Sequence, residues 1–181
     1  MKHLPNILSI SRIILAILLL FVALHHEVLL PSYVDKSWVN YLTCLIFCIA
    51  SLTDFFDGYI ARTYALHSRF GEVFDPLADK MLILSAFIAL LLLSRASPWA
   101  VFLILSREFF ITGLRVMAAG SGVSVAASAS GKYKTGAQIA AIGFLLADFF
   151  PGGQILLWLA VALTLYSGAD YTIKYAKTLN I

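Results

Sequence analysis

The sequence predicts an all-α protein that crosses a membrane with six helices. Three observations carry that expectation. The 181 residues are 61% hydrophobic and only 13% charged, about half the charged share of an average soluble domain. Mean hydropathy is +0.90. Several apolar runs approach the roughly 20 residues that a helix needs to span hydrocarbon. One domain, residues 1–181, is expected, because no polar linker, low-complexity tract or internal repeat divides the chain.

Met1 to Arg12 is a short polar lead, in which Pro5-Asn6 suits a turn or a helix entry. Helix 1 is expected over Ile7 to Leu24. It is too long for a signal-peptide core and no small-residue cleavage site follows it, so it reads as a retained helix. After a loop from His25 to Ser37, helix 2 runs from Trp38 to Ala61. Its two cysteines, Cys44 and Cys48, lie one turn apart in an apolar run with no Cys or His partners, which suits packing rather than zinc or a disulfide framework. A polar loop, Arg62 to Arg69, leads to helix 3 over Gly71 to Leu93. Ser94 to Pro98 is a tight turn, and helix 4 runs from Trp99 to Ala119. The small, polar segment Gly120 to Tyr133 precedes helix 5, Lys134 to Phe149. Pro151-Gly152-Gly153 turns the chain into helix 6, Gln154 to Tyr175.

Six spans put both termini on one side. Lys2, Arg12, Arg62, Arg69, Lys80, Arg107, Arg115, Lys132, Lys134, Lys174 and Lys177 lie on or towards that side, against Lys36 and Arg95 on the other. By the positive-inside rule the termini face the cytoplasm. The net charge of +3 then reflects membrane orientation and anionic ligands, and nucleic acid is not an expected partner.

The most informative stretch runs from Asp54 to Asp79. Asp54 and Asp57 are three apart at the end of helix 2; Asp75 and Asp79 are four apart at the start of helix 3. On a helix either spacing puts both carboxylates on one face. Two neighbouring helices would then pool four like charges at one membrane surface, which needs cations. Oxygen-only ligands suit Mg²⁺ or Mn²⁺ rather than zinc. Gly58, Ala61 and Gly71 keep the same faces small, so a bulky ligand fits along them. The alternative is that the aspartates only cap or solvate helix ends. Carboxylates beside membrane segments are expensive, which favours function.

The full pattern, D-x2-D-G-x2-A-R-x8-G-x3-D-x3-D, fixes eight positions in 26 residues. It resembles the signature of the CDP-alcohol phosphatidyltransferases at every fixed position. The resemblance implies transfer of a phosphatidyl group from CDP-diacylglycerol to an alcohol, with CMP released. It implies Asp54, Asp57, Asp75 and Asp79 as ligands of Mg²⁺ or Mn²⁺, with two ions expected, and Asp79 as the base that takes the acceptor proton. Pro5, Asn6, Gly58, Arg62 and Ser68 match nucleotide-contacting positions, and with Asp54, Ala61 and Gly71 they form the expected CDP-diacylglycerol site.

Arg107 and Arg115 share a face of helix 4, two turns apart. An arginine at Arg107's depth must pair or line a wet cavity. It either bridges to an aspartate of the cluster or clamps a phosphate with its planar donor fork. Glu108 points about 100° away and is expected to pair elsewhere. Lys132, Lys134 and Thr135 mark the entry to helix 5, where free N–H groups favour an anion; a loop facing lipid headgroups would also be basic. The segments Leu4–Arg12, Ser106–Arg115 and Ser130–Gln138 are similar to those of the bacterial phosphatidylglycerophosphate synthases within the family. That similarity implies glycerol-3-phosphate as acceptor, its phosphate held by Arg107, Arg115, Lys132, Lys134 and Thr135. It also implies the inner membrane of a bacterium, with membrane lipids around the site and the active site on the cytoplasmic face. Small-residue patches in helices 4 and 5 suit a homodimer or internal packing.

Two other readings compete. One is a sister enzyme that uses serine, inositol phosphate or phosphatidylglycerol. The other is a metal or proton transporter, which predicts carboxylates spread through the membrane depth; here Asp148 is the one carboxylate within an expected helix that lies near the far surface.

Overall fold

The computed structural model describes residues 4–25, 35–64, 69–120 and 129–178. Within these, the side chains of residues 4–8, 36, 54–64, 69–73, 75, 119, 129–130 and 177–178 lie outside the described set. The described residues form six helices and no strand: α1 (Leu4–Leu24), α2 (Lys36–Tyr64), α3 (Arg69–Leu92), α4 (Pro98–Gly120), α5 (Ala129–Leu146) and α6 (Gly152–Thr178). The all-α expectation holds. One described helix, over Gly152–Ala176, is long and apolar enough to cross a membrane; the apolar stretches Ser9–Leu24 and Ser37–Thr53 are shorter.

Caps explain where several helices begin and end. Asp35 precedes α2, and its Oδ1 accepts from the Ser37 backbone N–H at 2.9 Å, so the helix starts two residues before Trp38. Pro98 opens α4, where its missing N–H costs nothing, while the Ser97 carbonyl accepts from Val101 at 3.1 Å. Both α3 and α5 close with the paired backbone bonds of a left-handed cap. Arg95 N–H reaches Leu90 O at 2.8 Å and Ser94 N–H reaches Leu91 O at 3.0 Å, with Ser94 at φ 57°. Phe149 N–H reaches Phe144 O at 2.9 Å and Asp148 N–H reaches Leu145 O at 3.1 Å, with Asp148 at φ 61°. That cap ends α5 at Leu146, three residues before Phe149.

The chain forms two compact units: Met1–Arg95 with Gly143–Phe149, and Ala96–Ile142 with Phe150–Ile181. In the first, α1 packs along both α2 and α3, and α2 also touches α3. The buried positions follow helical spacing. Ser9, Arg12, Ala16, Leu19 and Ala23 line one stripe of α1; Val39, Thr43, Phe47 and Ala50 line α2; Ala78, Leu82, Ala86 and Leu90 line α3. Such a stripe is what a helix presents to a partner. Arg95 fastens this unit at the caps, donating to Leu146 O at 3.1 Å and Asn40 Oδ1 at 2.9 Å, and pairing with Asp148 at 3.3 Å.

In the second unit α4 packs against α6. Ile111, Ala118, Tyr171 and Tyr175 form a buried cluster with Leu114 against it. Gln138 of α5 donates to Thr164 of α6 at 2.9 Å, both buried.

Candidate functional site

Two groups of charged side chains stand out, one in each unit. In the first, the backbone of α2 is helical through Asp54 and Asp57, and that of α3 through Asp75 and Asp79. Each pair therefore has the one-face spacing expected of it. Only four residues separate the end of α2 from the start of α3. Pro76 stands inside α3 between the second pair and contributes no N–H to the ladder there. The side chains of Asp54, Asp57 and Asp75 lie outside the described residues, as do those of Pro5, Asn6, Arg62 and every atom of Ser68; Gly58, Ala61 and Gly71 are seen as helical backbone only. Among the described residues no three His, Cys, Asp or Glu side chains form a metal-sized group.

Asp79 is described, and its setting is informative. Its Oδ1 is gripped by Nη1 of Arg12. The Arg12 side chain is 1% exposed, that of Asp79 43%. A buried guanidinium on α1 thus anchors one oxygen of a carboxylate that still opens outward. Charge-assisted bonds of this kind are the strong ones and fix orientation as well as position. Arg12 did not emerge from the sequence as a site residue. The hints were its place at the end of the family-like segment Leu4–Arg12 and its charge among Ser9, Ser11 and apolar residues, on a stripe that a membrane helix normally keeps uncharged.

In the second unit the basic residues gather on an acidic one. Oε1 of Glu108 accepts from Nζ of Lys134 and from Nη1 of Arg107 at 3.2 Å. Nη2 of Arg107 donates to Ser167 Oγ at 2.9 Å. The side chains of Arg107 and Lys134 are 10% and 9% exposed. Among the described residues, two cations stand against this one carboxylate in a largely buried place. The Nε of Arg107 is buried with no hydrogen-bond partner among the described residues, a state that costs about 1–3 kcal/mol. So Glu108 pairs with Lys134, as expected of a residue turned away from Arg107, yet it reaches Arg107 too; long side chains bridge the angle between neighbours.

The other expected acceptor residues are placed differently. Arg115 is exposed and its guanidinium lies 5.4 Å from the Tyr171 ring centroid, a cation–π geometry. Lys132 and Thr135 are exposed, and Thr135 Oγ1 bonds back to Gly131 O at 3.1 Å. Because α5 begins at Ala129 rather than Lys134, these residues lie within its first two turns. Among the described residues, only Arg107 and Lys134 of the five share a direct partner, Glu108.

Residues 2–166 match the CDP-alcohol phosphatidyltransferase family. The chain belongs to that family. Proteins named CDP-diacylglycerol--glycerol-3-phosphate 3-phosphatidyltransferase are similar to it over most of both chains. One from Rickettsia typhi is 40% identical, covering 98% of this chain and 99% of its own. One from Bacillus subtilis is 45% identical, covering 75% and 74%. One from Salmonella choleraesuis is 36% identical, covering 93% and 92%.

CDP-alcohol phosphatidyltransferases as a family depend on divalent metal. The residues present fit such an ion. All four motif side chains are carboxylates, the hard oxygen donors that Mg²⁺ and Mn²⁺ take, and Asp79 opens outward while anchored from behind. Family membership and the long apolar helix α6 together point to a membrane enzyme.

Proposed function

We propose that this protein transfers the phosphatidyl group of CDP-diacylglycerol to glycerol-3-phosphate, giving phosphatidylglycerophosphate and CMP. The observation that carries the reading is the family match over residues 2–166 joined to relatives 36–45% identical that bear that activity in their names. The buried basic cluster supports the acceptor, since a phosphorylated alcohol needs cations and serine does not.

Asp54, Asp57, Asp75 and Asp79 would hold Mg²⁺ or Mn²⁺. The bound metal supplies neutralisation of the diphosphate and of the departing CMP phosphate. Asp79 takes the proton of the acceptor hydroxyl as that oxygen attacks phosphorus. Arg12 keeps Asp79 oriented for this. Pro5, Asn6, Gly58, Ala61, Arg62, Ser68 and Gly71 line the nucleotide and diphosphate. Arg107 and Lys134 take the acceptor phosphate, with Arg115, Lys132 and Thr135 as its outer contacts. In the resting cluster Glu108 occupies the cations, and the incoming dianion competes with it.

All six helices span the membrane in this reading, with the termini and the aspartates on the cytoplasmic side. Large apolar side chains stand exposed on every helix, among them Ile14, Leu52, Leu92, Phe102, Phe144 and Ile155. A water-soluble surface rarely exposes such patches. Trp38 and Trp99 are exposed in the first turns of α2 and α4, where interfacial aromatics belong.

The test is CMP release by purified protein with CDP-diacylglycerol and Mg²⁺, offered glycerol-3-phosphate, serine, inositol phosphate and phosphatidylglycerol in turn. Release stimulated by glycerol-3-phosphate alone is expected. Equal stimulation by serine would remove the acceptor assignment.

A further inference from the structure

Arg107 is held from the α6 side by two consecutive residues. Ser167 Oγ accepts from its Nη2 at 2.9 Å. Its stem lies over Gly168, where a Cβ would stand 3.0 Å from Cγ and 3.2 Å from Nε. Real Cβ atoms seldom approach so closely, so any larger residue at 168 moves the arginine. This seat is not needed to balance charge, because Glu108 already lies against the guanidinium. Nor does it complete the hydrogen bonding, because Nε stays buried and unpartnered among the described residues. A contact that leaves a donor unsatisfied fixes position at some cost in stability, a compromise that belongs to functional sites.

We infer that Ser167 and Gly168 are positioning residues that seat Arg107 for the phosphate of the acceptor. A helix that offers the cluster only a hydroxyl and a gap thereby sets affinity for a small phosphomonoester. The inference rests on the reading of Arg107 as an acceptor-phosphate residue.

The experiment is a mutant cycle on the full chain in detergent, with CDP-diacylglycerol, glycerol-3-phosphate and Mg²⁺. A displacement of 1 Å costs up to about a hundredfold, so a shift of a few tenths in Gly168→Ala should lower kcat/KM for glycerol-3-phosphate about tenfold. KM for CDP-diacylglycerol should stay at the wild-type value. In an Arg107→Ala background, adding Gly168→Ala should change nothing further, since its target is gone. Ser167→Ala should move the same parameter the same way by a smaller factor, and Ser167→Thr, which keeps the hydroxyl, should recover part of it. These two variants carry the test if Gly168→Ala does not fold. Equal losses for both substrates, or a Gly168→Ala effect that persists in full without Arg107, would overturn the inference while leaving the proposed reaction intact. CMP release by the wild type that ignores glycerol-3-phosphate would remove the reaction and the inference together.

Discussion

Arg12→Met removes the guanidinium that grips Asp79 and keeps most of the stem that fills α1's buried stripe. Two consequences can be sized. The lost bond is charge-assisted and its donor is 1% exposed, which argues for about 1.5–3 kcal/mol. Asp79, however, is 43% exposed, so water re-solvates it and the penalty of an abandoned buried charge, about 3–5 kcal/mol, does not apply in full. A loss of stability near 1–2 kcal/mol is therefore expected, read as a lower unfolding midpoint in detergent. Activity should suffer more. A carboxylate free to rotate away from its working position by about 1 Å costs on the order of a hundredfold, and the loss should fall on kcat. Arg12→Lys should recover part of it, because an ammonium replaces the charge but not the fork. The assay is CMP release at saturating CDP-diacylglycerol and glycerol-3-phosphate, in wild-type and Asp79→Asn backgrounds. If Arg12 acts through Asp79, adding Arg12→Met to Asp79→Asn changes little. Wild-type kcat in Arg12→Met, or a loss that simply adds to that of Asp79→Asn, refutes the reasoning.

Other outcomes follow from the same contacts. Lys134→Ala should raise KM for glycerol-3-phosphate, leave KM for CDP-diacylglycerol alone, and be worsened by low acceptor concentration; initial-rate kinetics in both substrates checks this. Arg95→Ala removes the hydrogen bonds to Leu146 O at the α5 cap and to Asn40 of α2, and the ion pair with Asp148. It should cost about 1–3 kcal/mol of stability without changing kcat/KM, as compared by thermal unfolding and turnover. The Ser37 backbone N–H, and then its hydroxyl, hold the Asp35 carboxyl below its ordinary value. That cap therefore contributes fully above about pH 4 and is lost as pH falls through the lower folded value. Asp35→Asn should flatten the acid limb of the unfolding midpoint against pH.

Much of this architecture could be read from the residues, and the reasons are physical. Apolar runs of helical length announce helices, and all six fall where the runs lie. Their ends were less legible because caps, not hydrophobicity, set them. Ser94 and Asp148 adopt left-handed backbone that neither residue demands. The entry to α5 through Ala129, Ser130 and Gly131 carries small residues that suit loop and helix alike. In the site, the aspartate pairs are visible because helical spacing is a local property. Arg12's partner is 67 residues away, and no periodicity encodes a pairing at that range. The angle between Arg107 and Glu108 argued against contact, and flexible side chains defeated the angle. The seat at Gly168 left no signal at all, since a glycine in an apolar helix reads the same whether or not an arginine lies on it.

In the proposed reaction the acidic motif holds the divalent ions that phosphatidyl transfer requires. Mn²⁺ bound per chain, measured by electron paramagnetic resonance on wild type and on Asp79→Asn alongside CMP release, tests it most directly. Saturable binding that weakens in Asp79→Asn together with turnover is expected. Undiminished Mn²⁺ binding and turnover in that variant would contradict it.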